Sequence, residues 1–134
     1  MIGESDKFRL FDAAVKVIKN AYSPYSKVKV AAAILDERGR IYTGVNVENA
    51  SFGLTVCAER NAIFKAVGEG AKSVEAILIT STIGAIPPCG ACRQVLAEFA
   101  KPETPIFLAN ADNIKASTTL GELLPRAFFL KSEK

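Results

Sequence analysis

The sequence predicts an α/β fold, a three-layer α/β/α sandwich around a mixed sheet of about five strands. Three observations predict it: an amphipathic helical pattern at residues 5–21, two apolar runs joined by a turn at 28–47, and alternating helical and strand patterns over 57–109. Helices that alternate with strands pack on the sheet and shield it from water. With 134 residues, 49% of them hydrophobic, we expect one domain spanning residues 1–134.

The first helix and the hairpin are predicted from residue periodicity. Four apolar residues recur at spacings of three and four and form one helical stripe: Phe8, Phe11, Val15 and Ile18. Ser5 is the expected N-cap, and the turn formers around Pro24 end the helix near Asn20. Residues 28–35 and 41–47 are rich in apolar and β-branched side chains, and the turn at 36–39 joins them into a hairpin.

The second half of the chain alternates between helices and strands. Helices are predicted at 57–67 and 89–100, the first ended by glycines and the second preceded by two prolines. Strands are predicted at 74–80 and 105–109. A short helical turn begins near Leu120, and the chain end frays over 131–134.

Composition excludes several classes of function. Seventeen Lys and Arg against fourteen Asp and Glu leave a scattered net charge of +3, so we expect no nucleic-acid partner. The absence of histidine excludes Ser-His-Asp triads and every imidazole zinc site. No apolar run is long enough for a membrane span. Three cysteines without a secretory-type start favour reduced thiols and a cytoplasmic location.

The three cysteines are concentrated at two predicted helix starts. Cys57 begins one helix, and Cys89 and Cys92 lie on one face of the first turn of another. Helix N-termini stabilise anions, which favours the thiolate form that binds metal. Three sulfur ligands on Zn²⁺ leave one tetrahedral position open for water, as catalytic sites require. We therefore predict one Zn²⁺ per chain, held by these cysteines.

Two charged residues follow Cys57 directly. Glu59 is close enough in sequence to hydrogen-bond a metal-bound water, so we predict that it is the catalytic proton carrier. Arg60 is the available cation for the excess negative charge of three thiolates, and we expect it to donate to sulfur.

Each of these features also has a purely structural interpretation. A C-x2-C pair is common in structural zinc sites, which would make the chain an interaction module. A glutamate in a first helical turn stabilises the helix dipole, and an arginine there often forms a surface ion pair. Structural zinc sites use four ligands, however, and three cysteines with a neighbouring glutamate are typical of zinc deaminases.

Most of the chain resembles the small homotetrameric cytidine deaminases. The resemblance rests on four segments: CAER at 57–60, PCGACRQV at 88–95, NVENA at 46–50 and YSPYSK at 22–27. It implies hydrolytic deamination of cytidine and 2′-deoxycytidine to the uridines, with release of ammonia, in pyrimidine salvage. It also implies that Asn46 and Glu48 bind the ribose 3′-hydroxyl and that the Ala58 N–H binds the pyrimidine O2. The ordinary alternatives are a turn-forming Asn46 and a solvated Glu48.

The sequence departs from the family pattern at three positions. Val28 replaces a phenylalanine that packs against the base, Ala31 replaces a glycine, and Arg126 stands where glycine is common. Loss of a stacked ring costs on the order of 1–3 kcal/mol, unless another ring replaces it. Phe128 resembles a family phenylalanine that enters the pocket from a neighbouring subunit. Phe52 resembles a family aromatic residue that lies near subunit contacts.

The resemblance therefore implies a homotetramer with shared pockets, although interior packing is the simpler interpretation of both rings. The substitution at Val28 keeps a rival substrate open, either a blasticidin-type aminopyrimidine nucleoside or a nucleotide.

Overall fold

Four α-helices and five strands form along residues 2–130, which are the residues that this computed structural model describes. The helices are α1 (Glu4–Val17), α2 (Ala58–Gly68), α3 (Gly90–Phe99) and α4 (Leu120–Leu123). The strands are β1 (Val30–Asp36), β2 (Ile41–Val45), β3 (Val74–Ser81), β4 (Pro105–Ala109) and β5 (Ile114–Thr119). None of the helices in this range has both the length and the apolar character that crossing a membrane requires.

The strands form one mixed sheet in the order β2-β1-β3-β4-β5, in which only β3 and β4 are parallel. Alternate residues of a strand face opposite sides, and β1 uses both sides for packing. Ala31 and Ala33 pack with Leu10 of α1, whereas Ile34 packs with Ile63 of α2 on the opposite face. Helices thus cover both faces, which confirms the predicted three-layer sandwich.

The observed elements differ from the predicted ones mainly at the N-cap of α1, at the outer ends of the two hairpin strands and at the last strand. The N-cap of α1 is Gly3, not Ser5, and the Asp6 carboxylate accepts a 3.1 Å hydrogen bond from its N–H. The first hairpin strand begins at Val30 rather than at 28, where the Val28 N–H is bonded to the Ser26 hydroxyl, and the second ends at Val45 rather than at 47, where Val47 forms isolated bridges instead. Strand β5, which had not been placed individually, completes the sheet. The predicted frayed end at 131–134 lies outside the described residues.

A close backbone contact seats α2 on the sheet. A Cβ on Gly44 of β2 would lie 2.4 Å from the Ala62 nitrogen and 2.6 Å from the Ala58 oxygen, so only glycine fits. The Asn61 side chain adds a 2.7 Å hydrogen bond from its Nδ2 to the Val45 carbonyl oxygen. Strand β2 therefore fixes the start of α2, where Cys57 and Glu59 lie.

Candidate metal centre and neighbouring cleft

Three cysteine sulfurs meet where α2 and α3 begin. Cys57 is the N-cap of α2 and Cys89 the N-cap of α3, and neither thiol caps its helix by a side-chain hydrogen bond. Cys92 lies one turn into α3 and is buried. The Sγ atoms of Cys57 and Cys89 are 3.8 Å apart, those of Cys89 and Cys92 are 3.4 Å apart, and all three lie within 4.8 Å of one another.

This spacing fits a tetrahedral metal ion. With zinc–sulfur bonds of about 2.3 Å, sulfurs on neighbouring corners of a tetrahedron are about 3.8 Å apart. In the described part of the chain, no fourth Cys, His, Asp or Glu belongs to the cluster. The donor set thus fits Zn²⁺ with three thiolates and one open position, the arrangement of a catalytic rather than a structural site.

The electrostatics of the three sulfurs also favour a cation. Interaction with the Cys92 thiol and donation from Arg60 hold the pKa of Cys57 well below its usual value, despite burial. The same interaction with Cys57, burial and the negative charge of Glu59 raise the pKa of Cys92. One thiolate thus opposes ionisation of the next, and a divalent cation between them would remove this opposition.

Arg60 supplies positive charge to the cluster. Its Nη2 donates to the Cys57 Sγ at 3.5 Å, and this bond raises the pKa of the guanidinium. Its buried Nε has no hydrogen-bond partner among residues 2–130. The predicted contact between Arg60 and a cysteine sulfur is present in the structure; its effect on metal retention stays a prediction.

Glu59 is only 5% exposed and lies in the first turn of α2, two residues after Cys57. Burial, reinforced by the negative charge of Cys57, raises its pKa to about 7. A carboxyl with such a pKa holds and releases a proton near neutral pH. The burial of Glu59 beside Cys57 and Cys92 permits the predicted role as proton carrier, which stays a prediction.

Arg93, the residue after Cys92, holds the turn that carries Cys89. Its Nε donates to the Pro88 carbonyl oxygen at 2.7 Å and its Nη1 to the Leu123 carbonyl oxygen at 2.8 Å. Pro88 immediately precedes Cys89, and Leu123 ends α4. The position of one predicted metal ligand thus depends on the docking of the C-terminal segment.

A cleft of 390 Å³ opens beside the predicted sugar-binding residues and is lined by Tyr25, Ser26, Glu48, Phe52 and Thr55. The rings of Tyr25 and Phe52 meet edge to face, with centroids 5.9 Å apart. The Glu48 carboxylate accepts hydrogen bonds from the Tyr25 N–H at 3.0 Å and the Ser26 N–H at 3.1 Å, and also from the Ser26 hydroxyl. The Ser26 hydroxyl is the main reason that the pKa of Glu48 lies below its usual value.

A two-residue bridge connects the cleft to the metal centre. Val47 and Val56 pair antiparallel and exchange two backbone hydrogen bonds of 3.0 Å. This bridge joins the residue between Asn46 and Glu48 to the residue that precedes Cys57. The predicted sugar contacts and the predicted metal ligands thus belong to one continuous region.

Asn46 is buried and bonded on both sides of its amide. Its Nδ2 donates to the Val28 carbonyl oxygen at 2.8 Å, and its Oδ1 accepts from the Val30 N–H at 2.9 Å. Each amide atom retains capacity for one further hydrogen bond. Ala58 is the first residue of α2, where N–H groups have no intrahelical acceptor, as the predicted contact with a pyrimidine oxygen requires.

Phe128 lies away from a packed core, since its side chain is 67% exposed. The Gln94 amide donates a 3.0 Å hydrogen bond to its carbonyl oxygen and so anchors the segment that carries it. Phe52 is likewise exposed, at 74%. The interior-packing alternative for these two rings is therefore wrong within one chain, whereas their part in a pocket stays a prediction.

Three residues important for this geometry were not assigned by the sequence analysis. A glycine inside a strand often marks close backbone approach, so Gly44 carried a readable signal. Ser26 lies within the YSPYSK segment and Arg93 within the PCGACRQV segment, but neither motif states which atoms those side chains would reach.

The fold and the site together define a class. The starts of α2 and α3 bring together three thiols that could hold a metal ion, with a buried glutamate beside them that is not part of this cluster. This arrangement is that of the zinc-dependent deaminases.

Comparison with known proteins identifies the family. Residues 4–108 match the model of the cytidine and deoxycytidylate deaminase zinc-binding region. The chain belongs to this family.

The chain is similar over most of its length to individual members. It is 46% identical over 124 residues to the cytidine deaminase of Sporosarcina psychrophila, covering 92% of this chain and 91% of the other. The 1.6 Å crystal structure of cytidine deaminase from Burkholderia pseudomallei superposes with a TM-score of 0.84 at 44% identity, covering 90% of this chain and 98% of that one. A more distant relative, the blasticidin-S deaminase of Bacillus cereus, is 31% identical over 125 residues, covering 87% of each chain.

Proposed function

We propose that this protein hydrolyses the exocyclic amino group of cytidine and 2′-deoxycytidine, giving uridine, 2′-deoxyuridine and ammonia, and serves pyrimidine salvage. The observation that carries the proposal is the buried carboxylate of Glu59 beside three sulfurs spaced for one metal ion. The family membership and the relatives named cytidine deaminase support the choice of substrate.

Cys57, Cys89 and Cys92 would hold one Zn²⁺ per chain. Bound there, the ion supplies Lewis-acid activation of a water molecule. Arg60 reduces the electron density on the Cys57 sulfur by donating to it, and so limits the charge that three thiolates would otherwise place on the site.

Glu59 performs the proton transfers. Its carboxylate takes a proton from the attacking water and delivers it to ring N3 of cytosine, while the water oxygen forms a bond to C4. The carboxylate then receives the second proton of that oxygen and passes it to the amino group, and the C4–N4 bond breaks. Ammonia leaves, the C4 carbonyl remains, and Glu59 returns to its starting ionisation.

The neighbouring residues bind and orient the nucleoside. Asn46 and Glu48 bind the 3′-hydroxyl, which both donates and accepts hydrogen bonds. The Ala58 N–H binds the pyrimidine O2. Val28 borders the base without an aromatic ring, and Phe128 of a neighbouring copy supplies one.

We further propose that the chain, as a single domain, assembles into homotetramers with shared pockets. The resemblance of Phe128 to a family phenylalanine that enters a neighbouring pocket supports this, and its exposure leaves the ring accessible to a second copy. Size-exclusion chromatography with light scattering tests the assembly, and a fully active monomer would refute it. Three adjacent thiols that must stay reduced favour the cytoplasm as the place of action.

The decisive experiment follows loss of cytidine ultraviolet absorbance with wild-type protein and with Glu59→Gln, while zinc per chain is measured. Because Glu59 is not proposed as a ligand, the variant should keep its zinc. Its kcat should fall by about 100- to 10,000-fold. Glu69→Gln, which changes an exposed acid at the far end of the same helix, is the matched control and should behave as wild type. A fully zinc-loaded wild type that releases no ammonia from any cytosine nucleoside would instead support the structural-zinc interaction module.

A second substrate class has its own support. Val28 removes an expected ring from the pocket, and a relative is named blasticidin-S deaminase. Assays with blasticidin S and with cytidine nucleotides beside cytidine decide between them. If the kcat/KM for blasticidin S or for a cytidine nucleotide exceeds the value for cytidine, that compound and not cytidine is the preferred substrate.

A further inference from the structure

The hydroxyl of Ser26 joins two of the groups that we expect to bind substrate. Its Oγ donates to the Glu48 Oε2 at 2.5 Å and accepts from the Val28 N–H at 3.0 Å. The Ser26 N–H donates to the other carboxylate oxygen, Oε1, at 3.1 Å. One short side chain therefore contacts both the carboxylate of Glu48 and the backbone beside the base position.

These contacts fix the plane of the Glu48 carboxylate. Oε1 accepts from two successive backbone N–H groups, of Tyr25 and Ser26, whereas the only hydrogen bond that the described residues give to Oε2 comes from the Ser26 hydroxyl. Without that hydroxyl, Oε2 loses its bond and the carboxylate is held at one oxygen only. A glutamate has three side-chain torsions, so the less restrained carboxylate would sample several orientations. Binding of the sugar hydroxyl would then have to order it, at a cost in binding free energy.

The network continues into the second predicted sugar contact. Asn46 holds the Val28 carbonyl oxygen and the Val30 N–H, and the Tyr22 N–H donates to the Asn46 carbonyl oxygen at 2.9 Å. Glu48 in turn donates its N–H to the Tyr22 carbonyl oxygen at 2.8 Å. The segment 22–30 is thus hydrogen-bonded to the segment 46–48, and the Ser26 side chain is one of these links that also lines the cleft.

We propose that Ser26 is a positioning residue that orients the Glu48 carboxylate toward the 3′-hydroxyl of the nucleoside sugar. The inference rests on the proposed function, because it presumes a nucleoside in this cleft. Ser26 acts through Glu48 and touches no reacting atom, so it affects substrate binding and leaves the proton transfers at Glu59 unchanged.

The test compares zinc-loaded wild type and Ser26→Ala on cytidine and on 3′-deoxycytidine, which lacks only the 3′-hydroxyl. We expect Ser26→Ala to raise the KM for cytidine about tenfold with kcat within about twofold of wild type. With 3′-deoxycytidine, which offers Glu48 no 3′-hydroxyl, the two proteins should agree within about twofold. Ser26→Thr, which keeps the hydroxyl, should restore the KM for cytidine.

Controls separate positioning from a general structural role. Ser51→Ala removes an exposed hydroxyl next to Phe52 and should leave both substrates unaffected. Urea unfolding of each variant reports its stability. If Ser26→Ala does not fold, Ser26→Cys keeps the size of the side chain with a weak donor and allows the same comparison.

The possible failures are distinguishable. A wild type that deaminates neither nucleoside refutes the proposed function and this inference with it. An active wild type with an unchanged KM in Ser26→Ala refutes the inference alone. Equal losses on both nucleosides, or a loss in kcat rather than KM, also refute it, because they would show a role unrelated to the 3′-hydroxyl.

Discussion

Replacing Gly44 by alanine tests whether a single backbone contact positions the metal centre. The added Cβ would lie 2.4 Å from the Ala62 nitrogen, 2.6 Å from the Ala58 oxygen and 2.9 Å from the Asn61 carbonyl carbon. All three are backbone atoms of α2, so no side chain can rotate away to make space. Either β2 or the whole first half of α2 must move.

The size of the movement follows from these distances. Ordinary contacts of a Cβ begin at 3.4 Å, so the closest pair must separate by about 1 Å. Overpacking usually costs about 1–3 kcal/mol, and contact with rigid backbone should bring the loss of unfolding free energy to about 3 kcal/mol. In a domain of this size that lowers the Tm by roughly 10 °C. A shift of about 1 Å at Cys57 also exceeds the roughly 0.5 Å tolerance of a metal site.

The assay combines thermal unfolding of the zinc-free protein with zinc release to a coloured chelator. We expect Gly44→Ala to unfold at lower temperature and to release zinc at least tenfold faster. Gly68→Ala is the control, because it adds the same methyl group to the same helix where no atom lies within 4 Å, and it should be neutral or stabilising. A Gly44→Ala protein with unchanged Tm and zinc release would show that α2 is not seated by this contact.

Further substitutions test other parts of the structure. Arg93→Met removes the donor that holds the turn before Cys89, so chelator-induced zinc release should accelerate about 10- to 100-fold; an unchanged rate contradicts this role. Arg126 has φ of +57°, so Arg126→Gly should raise the unfolding free energy by up to about 1 kcal/mol in urea titration, and a decrease would oppose the strain argument. Burial pushes the pKa of Asp36 upward, but hydrogen bonds from Arg40 and Arg38 outweigh it and hold the pKa below its usual value. The resulting stabilisation is present above the unfolded pKa of about 3.9 and is lost as pH falls through the lower folded pKa. Asp36→Asn should therefore be destabilised by about 2 kcal/mol at pH 7, and the difference from wild type should shrink below about pH 4; a constant difference would contradict it. Val28→Phe should lower the KM for cytidine severalfold if a ring at this position stacks on the base, and an unchanged KM would show that other contacts suffice.

Much of the fold was predictable because its signals are local. The helical period of α1, the glycines at the end of α2 and the turn between β1 and β2 each lie within a few residues of the structure that they specify. The stripe predicted for α1 was partly wrong, because the buried residues of this helix are Leu10 and Ala14, whereas Phe8 is 60% exposed. Strand β5 was not placed because four of its six residues are polar and none is buried, so no buried alternation marks it. The predicted N-cap of α1 was wrong because the Asp6 carboxylate accepts a hydrogen bond from the Gly3 N–H. The helix therefore begins two residues before Ser5, the residue that N-cap propensity favoured.

In the site, too, the locally encoded features were predictable and the long-range contacts were not. The thiols at the helix starts and the glutamate two residues after Cys57 can be recognised within short sequence segments, and the three sulfurs do lie close together. The groups that hold those segments in place act between segments far apart in sequence: Gly44 against α2, Arg93 against the end of α4, Ser26 against Glu48. Each depends on which residue the fold brings opposite: a glycine within a strand pattern signals a close approach, but no local pattern identifies the partner. It follows that variants of the cysteines should lose activity because a metal ligand is missing. Variants of Gly44, Arg93 or Ser26 should keep all three ligands and lose activity because a ligand or the substrate is displaced.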